Sequence, residues 1–229
     1  MGNARHVKRA FECLRDVVHE VTLQHGRDGL VARANGEGVR VQAAFLRPLE
    51  YEKGGLAAVA TDTMARLLRT ATNEQKVRLE IGEKQVRFEM YTEQRTTRYL
   101  VPTIDAEATG DLDELERLCV LTLRTEHMRS LLRDLRHAGD RMAVEVAHGA
   151  LLLVGRADNA YGEVVSKEVH IEGEEGCYGV YSSGVLSHFL KSQHVSNDLT
   201  IVLYGSRLRM VLESDLRLTL ELDELGGHL

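Results

Sequence analysis

The pattern T-x-x-M-x-x-L-L-R occurs twice, at Thr61–Arg69 and Thr125–Arg133. In each copy the methionine and leucines fall three and four residues apart, the spacing of one helix face. Two further stretches share that period. Val7–Val18 places Val7, Ala10, Phe11, Leu14, Val17 and Val18 together, and Ser182–Gln193 places Val185, Leu186, Phe189 and Leu190 together. A recurring amphipathic helix signals an internal repeat, and each copy needs a surface on which to bury its apolar face. Thr61 and Thr125 each stand where an N-cap is expected.

Between these helices the period switches to two. Strands are expected at Val39–Leu46, Val77–Ile81, Val86–Met90, Arg98–Val101, Leu118–Leu123, Met142–Val146, Leu151–Val154, Glu163–Val169, Leu199–Leu203, Leu208–Leu212 and Leu216–Leu222. Turn residues separate them at Gly82-Glu83-Lys84, His148-Gly149 and Gly205-Ser206. Helix, strands, helix, strands is followed by the same order again. An acidic stretch, Asp105–Glu116, lies at the break. The expected organisation is therefore an N-terminal domain at 1–104, a connector at 105–117 and a similar C-terminal domain at 118–229. Single helices among runs of strands imply an α+β protein of antiparallel sheets with helices on one face, not a doubly wound parallel sheet.

Composition narrows the class of function. Of 229 residues 43% are hydrophobic and 28% charged, which excludes a disordered chain. No apolar run approaches the roughly 20 residues of a membrane helix, and no apolar stretch follows Met1–Arg9, so neither membrane association nor secretion is expected. Cys13, Cys119 and Cys177 are odd in number and far apart, which favours a reducing compartment over a disulfide framework.

Net charge is −6, yet the charge is segregated. The expected helices carry Lys8, Arg9, Arg15, Arg66, Arg69, Arg129, Arg133, Arg136 and Lys191 against Glu12, Asp16, Asp62, Glu126 and Asp134. Two readings stay open. Amphipathic helices ordinarily show charge to solvent; alternatively all four line one basic surface that contacts phosphates without reading sequence.

Catalytic and metal motifs are absent. His19-Glu20 is not followed by a histidine at H-E-x-x-H spacing, there is no C-x-x-C pair, and neither a G-x-S-x-G elbow nor a P-loop occurs. Cys119 and Cys177 sit in apolar surroundings that suit a core position. The expectation is a protein without catalysis, metal or cofactor.

The repeated helix pattern, the acidic connector and RDLRHAGD (Arg133–Asp140) together resemble proliferating cell nuclear antigen, the DNA sliding clamp of eukaryotes, archaea and some viruses. LLRTATNEQKVRLEI (Leu67–Ile81) is similar to the segment leaving that clamp's second helix. GRADNAYGEV (Gly155–Val164) is similar to a glycine-bearing strand of its second domain, and ELGGHL (Glu224–Leu229) to the stretch before its last strand. The resemblance runs through nearly the whole chain in order.

The resemblance implies two similar domains per subunit and three subunits closed head-to-tail into a ring, with helices lining the hole. It implies a polymerase processivity factor that encircles duplex DNA, is placed by a clamp loader and tethers polymerase and other clamp-binding proteins. Lys8, Arg9, Arg15, Arg66, Arg69, Arg133 and Lys191 match basic pore positions, with Arg129 and Arg136 nearby. Tyr99 matches an interface tyrosine in the strand Arg95–Val101, which is expected to pair with Glu163–Val169 of the next subunit; Arg95, Leu135, Glu163 and Val164 complete that expected interface. Val41, Leu112 and Leu115 match a pocket for partner peptides. Location follows as nuclear in a eukaryote or nuclear-replicating virus and cytoplasmic otherwise.

The chain departs from the family in lacking a strand before its first helix and a last strand with its tail, and in carrying His148 where eukaryotic members have a ubiquitin-accepting lysine. The alternatives are a subunit of a heterotrimeric or checkpoint clamp, a viral processivity factor working as monomer or dimer, and an interaction scaffold that does not encircle DNA.

Overall fold

A computed structural model describes residues 4–26, 29–46, 55–105, 112 and 115–226. Residues 106–111 and 113–114 of the expected connector, and the last three residues of ELGGHL, lie outside that set. The chain divides into two units. One comprises Met1–Gly36, Arg40–Asp111 and Ser214–Leu218, the other Glu37–Val39, Leu112–Glu213 and Thr219–Leu229.

The first unit runs α1 (Ala4–Val17), β1 (Glu20–Gly26), β2 (Gly29–Gly36), β3 (Val39–Phe45), β4 (Gly55–Ala60), α2 (Thr61–Leu68), β5 (Lys76–Ile81), β6 (Gln85–Tyr91) and β7 (Thr96–Pro102). Its strands follow the orders β3-β2-β1-β4 and β5-β6-β7, antiparallel wherever the register is defined. Leu14, Phe11, Val7 and Met64 of the helices are buried at 1% exposure or less with Leu23, Val59 and Phe88 of the strands.

The second unit runs β8 (Cys119–Arg124), α3 (Thr125–Asp134), β9 (Arg141–Ala147), β10 (Ala150–Ala157), β11 (Ala160–Ser166), β12 (His170–Gly173), β13 (Tyr178–Ser182), α4 (Ser183–Phe189), a 3₁₀ turn (Leu190–Ser192), β14 (Asp198–Leu203), β15 (Arg207–Glu213) and β16 (Leu216–Asp223). Its sheets have the orders β12-β8-β14-β15-β16 and β11-β10-β9-β13. The architecture is the expected α+β arrangement of antiparallel sheets.

Several expectations are corrected locally. Thr61 and Thr125 are not N-caps, since Ala60 and Arg124 hold those positions and neither caps through its side chain. The threonines are instead the first helical residues, with hydroxyls turned inward. Thr61 Oγ1 donates to Val18 O (2.6 Å) and Thr125 Oγ1 to Ser196 O (2.9 Å). The strand expected at Glu163–Val169 begins earlier, at Ala160, and stops at Ser166. There Ser166 Oγ is held 2.7 Å from His127 Nε2 and accepts the Glu168 N–H, which turns the chain away from the ladder. Strands β1, β2, β4, β12 and β13 go beyond the sequence expectation. In β2 the inward positions include Ala32 and Ala34, and in β4 Ala57, Ala58 and Val59 are all buried, so neither shows a strong alternation of large apolar residues.

Candidate nucleic-acid interface

Each helix buries one stripe and exposes the opposite one. On α1, Ala4, Val7, Ala10, Phe11 and Leu14 face the core, while Arg5 and Arg15 are exposed and Lys8, Arg9 and Glu12 half-buried. Arg5 belongs to the basic stripe and was missed in the sequence, because the first large apolar residue, Val7, placed the helix start three residues late. Lys8 Nζ donates to Arg69 O (3.0 Å), so the first helix caps the carbonyl end of the second. Burial and the neighbouring Arg5 lower the Arg9 guanidinium from its usual value, with Glu12 opposing. Arg15 is bonded to Asp16 at 3.2 Å. Arg66 and Arg69 are exposed in the last turn of α2 and just beyond it. Asp62 near the helix start and Arg66 near its end both complement the helix dipole.

In the second unit, Met128, Leu131 and Leu132 of α3 are buried, whereas Arg129 and Arg133 are exposed. Arg136 follows the helix and Lys191 lies in the 3₁₀ turn after α4, both exposed. These four cations converge on an open groove of about 470 Å³ that Ser130 and Ser187 also line. Its other members include Leu132, Leu190 and a single carboxylate, Glu126. Arg133 donates to Ser130 Oγ (3.1 Å) and Arg136 Nε to His137 Nε2 (2.8 Å). Planar guanidinium groups beside hydroxyl donors suit phosphate oxygens and offer nothing that distinguishes bases.

Two strand edges form a second feature. β7 ends the sheet β5-β6-β7 and β11 ends the sheet β11-β10-β9-β13. On β7, Tyr99 is half-buried, Leu100 is 54% exposed and Arg98 donates to Glu89 of β6 (2.5 Å). Arg95 precedes the strand, its carbonyl accepting the Thr92 N–H. On β11, Tyr161 and Val165 are 64% and 57% exposed, Glu163 is exposed beside the Tyr161 hydroxyl (2.7 Å), and Val164 is half-buried.

Two expected site residues do not present usable surface. Leu135 is only 6% exposed, because it packs beneath Gly162 of its own unit. Val41 is 1% exposed, since the alternation of β3 turns Val41, Ala43 and Phe45 inward and leaves Gln42 and Ala44 outside. It therefore lends no surface to a peptide pocket. Leu112 and Leu115 are half-buried.

Among the described residues no group of three or more His, Cys, Asp or Glu could hold a metal ion, and no helix is long and apolar enough to cross a membrane. His127 lies between Ser166 (2.7 Å) and Glu168 (3.7 Å). Ser166 is buried, and its hydroxyl is committed to ending β11.

The strand orders and the helix placement within each unit define the fold of a DNA sliding clamp. More particularly, the chain has a PCNA-like clamp fold. A crystal structure of proliferating cellular nuclear antigen from Entamoeba histolytica matches with a TM-score of 0.85 at 16% sequence identity, over 98% of this chain and 96% of that one. A PCNA2–PCNA3 complex from Sulfolobus tokodaii matches with a TM-score of 0.82 at 17% identity, over 97% and 96%. No protein-family model and no curated protein sequence matches the chain.

Proposed function

We propose that this protein is a DNA sliding clamp, a ring of identical subunits that encloses duplex DNA and tethers a polymerase and other enzymes without reading sequence. The observation that carries the reading is the basic stripe on the solvent face of the helices in both units, in a chain whose net charge is −6. Arg5, Lys8, Arg9, Arg15, Arg66 and Arg69 in the first unit, and Arg129, Arg133, Arg136 and Lys191 in the second, are the phosphate contacts of this reading. Weak, exchangeable contacts of this kind suit sliding, because affinity comes from enclosure rather than from any one ion pair.

The free edges support self-association. In chain order β11 is the third strand after α3 as β3 is after α1, and β7 is the third strand after α2 as β16 is after α4. β3 and β16 already pair. Within the first unit Leu46 N–H donates to Asp215 O (3.1 Å), and within the second Asp223 N–H donates to Gly38 O (2.9 Å). Carried to the equivalent strands, that register sets Tyr99 of one copy opposite Gly162 of the next, Leu100 opposite Tyr161 and Arg98 opposite Glu163. Exposed apolar residues then meet one another, and a cation meets a carboxylate.

Light scattering tests assembly. Three copies of the 25.6 kDa chain give 76.8 kDa, whereas a monomer at every concentration sinks the homotrimer. Retention on closed circular DNA with release on linearisation tests enclosure. Equal retention on both forms would leave an ordinary DNA-binding protein. A mass of 76.8 kDa reached only with a second, different chain would favour a heterotrimeric clamp.

A further inference from the structure

We propose that Cys119 and Cys177 form a thiol-oxidation site, at which a small hydroperoxide converts the two thiols into a reversible disulfide joining the two sheets of the second unit. Cys119 is the first residue of β8, in the sheet β12-β8-β14-β15-β16. Cys177 immediately precedes β13, the edge of the sheet β11-β10-β9-β13. The two side chains are hydrogen-bonded to one another. The backbone fixes their approach from both sides. Gly173 is paired with Cys119 across β12 and β8, Glu174 N–H donates to Leu118 O (2.8 Å), and Val146 N–H donates to Cys177 O (2.9 Å). Gly173, at φ +112°, lies so close to β8 that a Cβ there would meet Leu118 O at 2.3 Å. The turn is thus held against Cys119 by hydrogen bonds independent of either sulfur.

The pair is chemically unequal. Burial pushes the Cys119 thiol up to about 11, and its bond to Cys177 raises it further. Burial also raises Cys177, but the bond to Cys119 acts in the opposite direction there. Cys119 is therefore the donor that keeps its proton, and Cys177 is the sulfur that becomes thiolate first. Cys177 is also the more accessible, at 8% exposure against 1%. The Cys177 thiolate attacks the peroxide. The O–O bond breaks, Cys177 becomes a sulfenic acid, and the departing hydroxide leaves as water with the proton that Cys177 released. The Cys119 sulfur then attacks the Cys177 sulfur. The S–O bond breaks, and hydroxide leaves as water with the Cys119 proton. Two thiols are oxidised by two electrons and one peroxide is reduced to two waters.

The test uses the full chain and hydrogen peroxide. Intact mass is expected to fall by about 2 Da as the bridge removes two hydrogens, and titratable thiols to fall from three to one. A tryptic map should hold one linked peptide pair, Cys119 with Cys177, and a reductant should restore all three thiols. Cys119→Ser should instead accumulate a dimedone-reactive sulfenic acid on Cys177, the second step having lost its nucleophile. The oxidised chain should melt about 5 °C or more above the reduced one, because the bridge closes a long loop. Retention of three thiols after the exposed methionines are oxidised, a bridge through Cys13, or a bridge between chains would each overturn the site. A melting point unmoved by the mapped bridge would overturn the joining of the two sheets.

Discussion

Gly155 and Gly162 face each other across β10 and β11. A Cβ on Gly155 would meet Ala138 Cβ at 2.8 Å, and one on Gly162 would meet Leu135 Cδ2 at 2.8 Å. The two glycines make a notch that receives the end of α3 and its following turn. Gly162→Ala is expected to lower stability by about 1–3 kcal/mol through overpacking, measured by urea denaturation, while Gly149→Ala meets nothing within 4 Å and suffers only from its positive φ. His25 provides a titration of known sign. Burial lowers its folded value from the ordinary 6.5. Above 6.5 it is neutral in both states. As pH falls below 6.5 the unfolded chain takes up a proton that the folded chain resists, so stability is lost across that window. His25→Gln should flatten this part of the stability–pH profile; an unchanged slope would assign the acid sensitivity to other groups. At the candidate interface, Arg133→Glu should weaken DNA binding and reduce the salt slope by about one unit, without sequence preference. Salt-dependent binding assays on two unrelated duplexes check both.

At the scale of elements, all four helix starts are fastened in the same way. Ala4 N–H donates to Gln75 O, Thr61 to His19 O, Thr125 to Asn197 O and Ser183 to Asp140 O, at 2.8–3.0 Å. Each acceptor follows the companion helix of the same unit, so the two helices of a unit hold each other's ends. This explains the T-x-x-M-x-x-L-L-R repeat. It joins the second helix of one unit to the first helix of the other, and the threonine recurs because its hydroxyl reinforces that shared contact. Thr125→Val keeps the shape, deletes the bond to Ser196 O and is expected to cost about 1–2 kcal/mol. Thermal melts of T125V and T61V should show similar losses; a neutral T125V would reduce the threonine to a packing role. Thr61 and Thr125 also show why the cap expectation failed. A threonine at a helix start serves either as cap or as inward donor, and what lies beneath it decides which.

For the whole molecule, the proposed assembly makes a prediction that no single strand makes. Cysteines placed at Leu100 and Tyr161, both exposed, should join copies into a covalent series ending at a trimer under mild oxidation. Cysteines at Leu100 and Glu163, two residues out of register, should join poorly. Preferred linkage through the second pair would correct the register and leave the sliding-clamp reading standing. A normal trimer that slips from circular DNA would leave the register standing and sink the clamp function.

The sequence by itself determined the four helices, most strands, the α+β class and the segregation of positive charge onto helices. These depend on short-range periodicity, which a linear pattern carries in full. It did not determine which face of a strand turned inward beyond the local alternation. Val41 and Leu135, carried over as surface residues, are buried by their own units, and β4 is buried through three consecutive small residues. Nor did it bring Cys119 within bonding distance of Cys177, or gather Arg129, Arg133, Arg136 and Lys191 around one groove. Those meetings join residues distant in the chain, and only the packing of one element against another creates them.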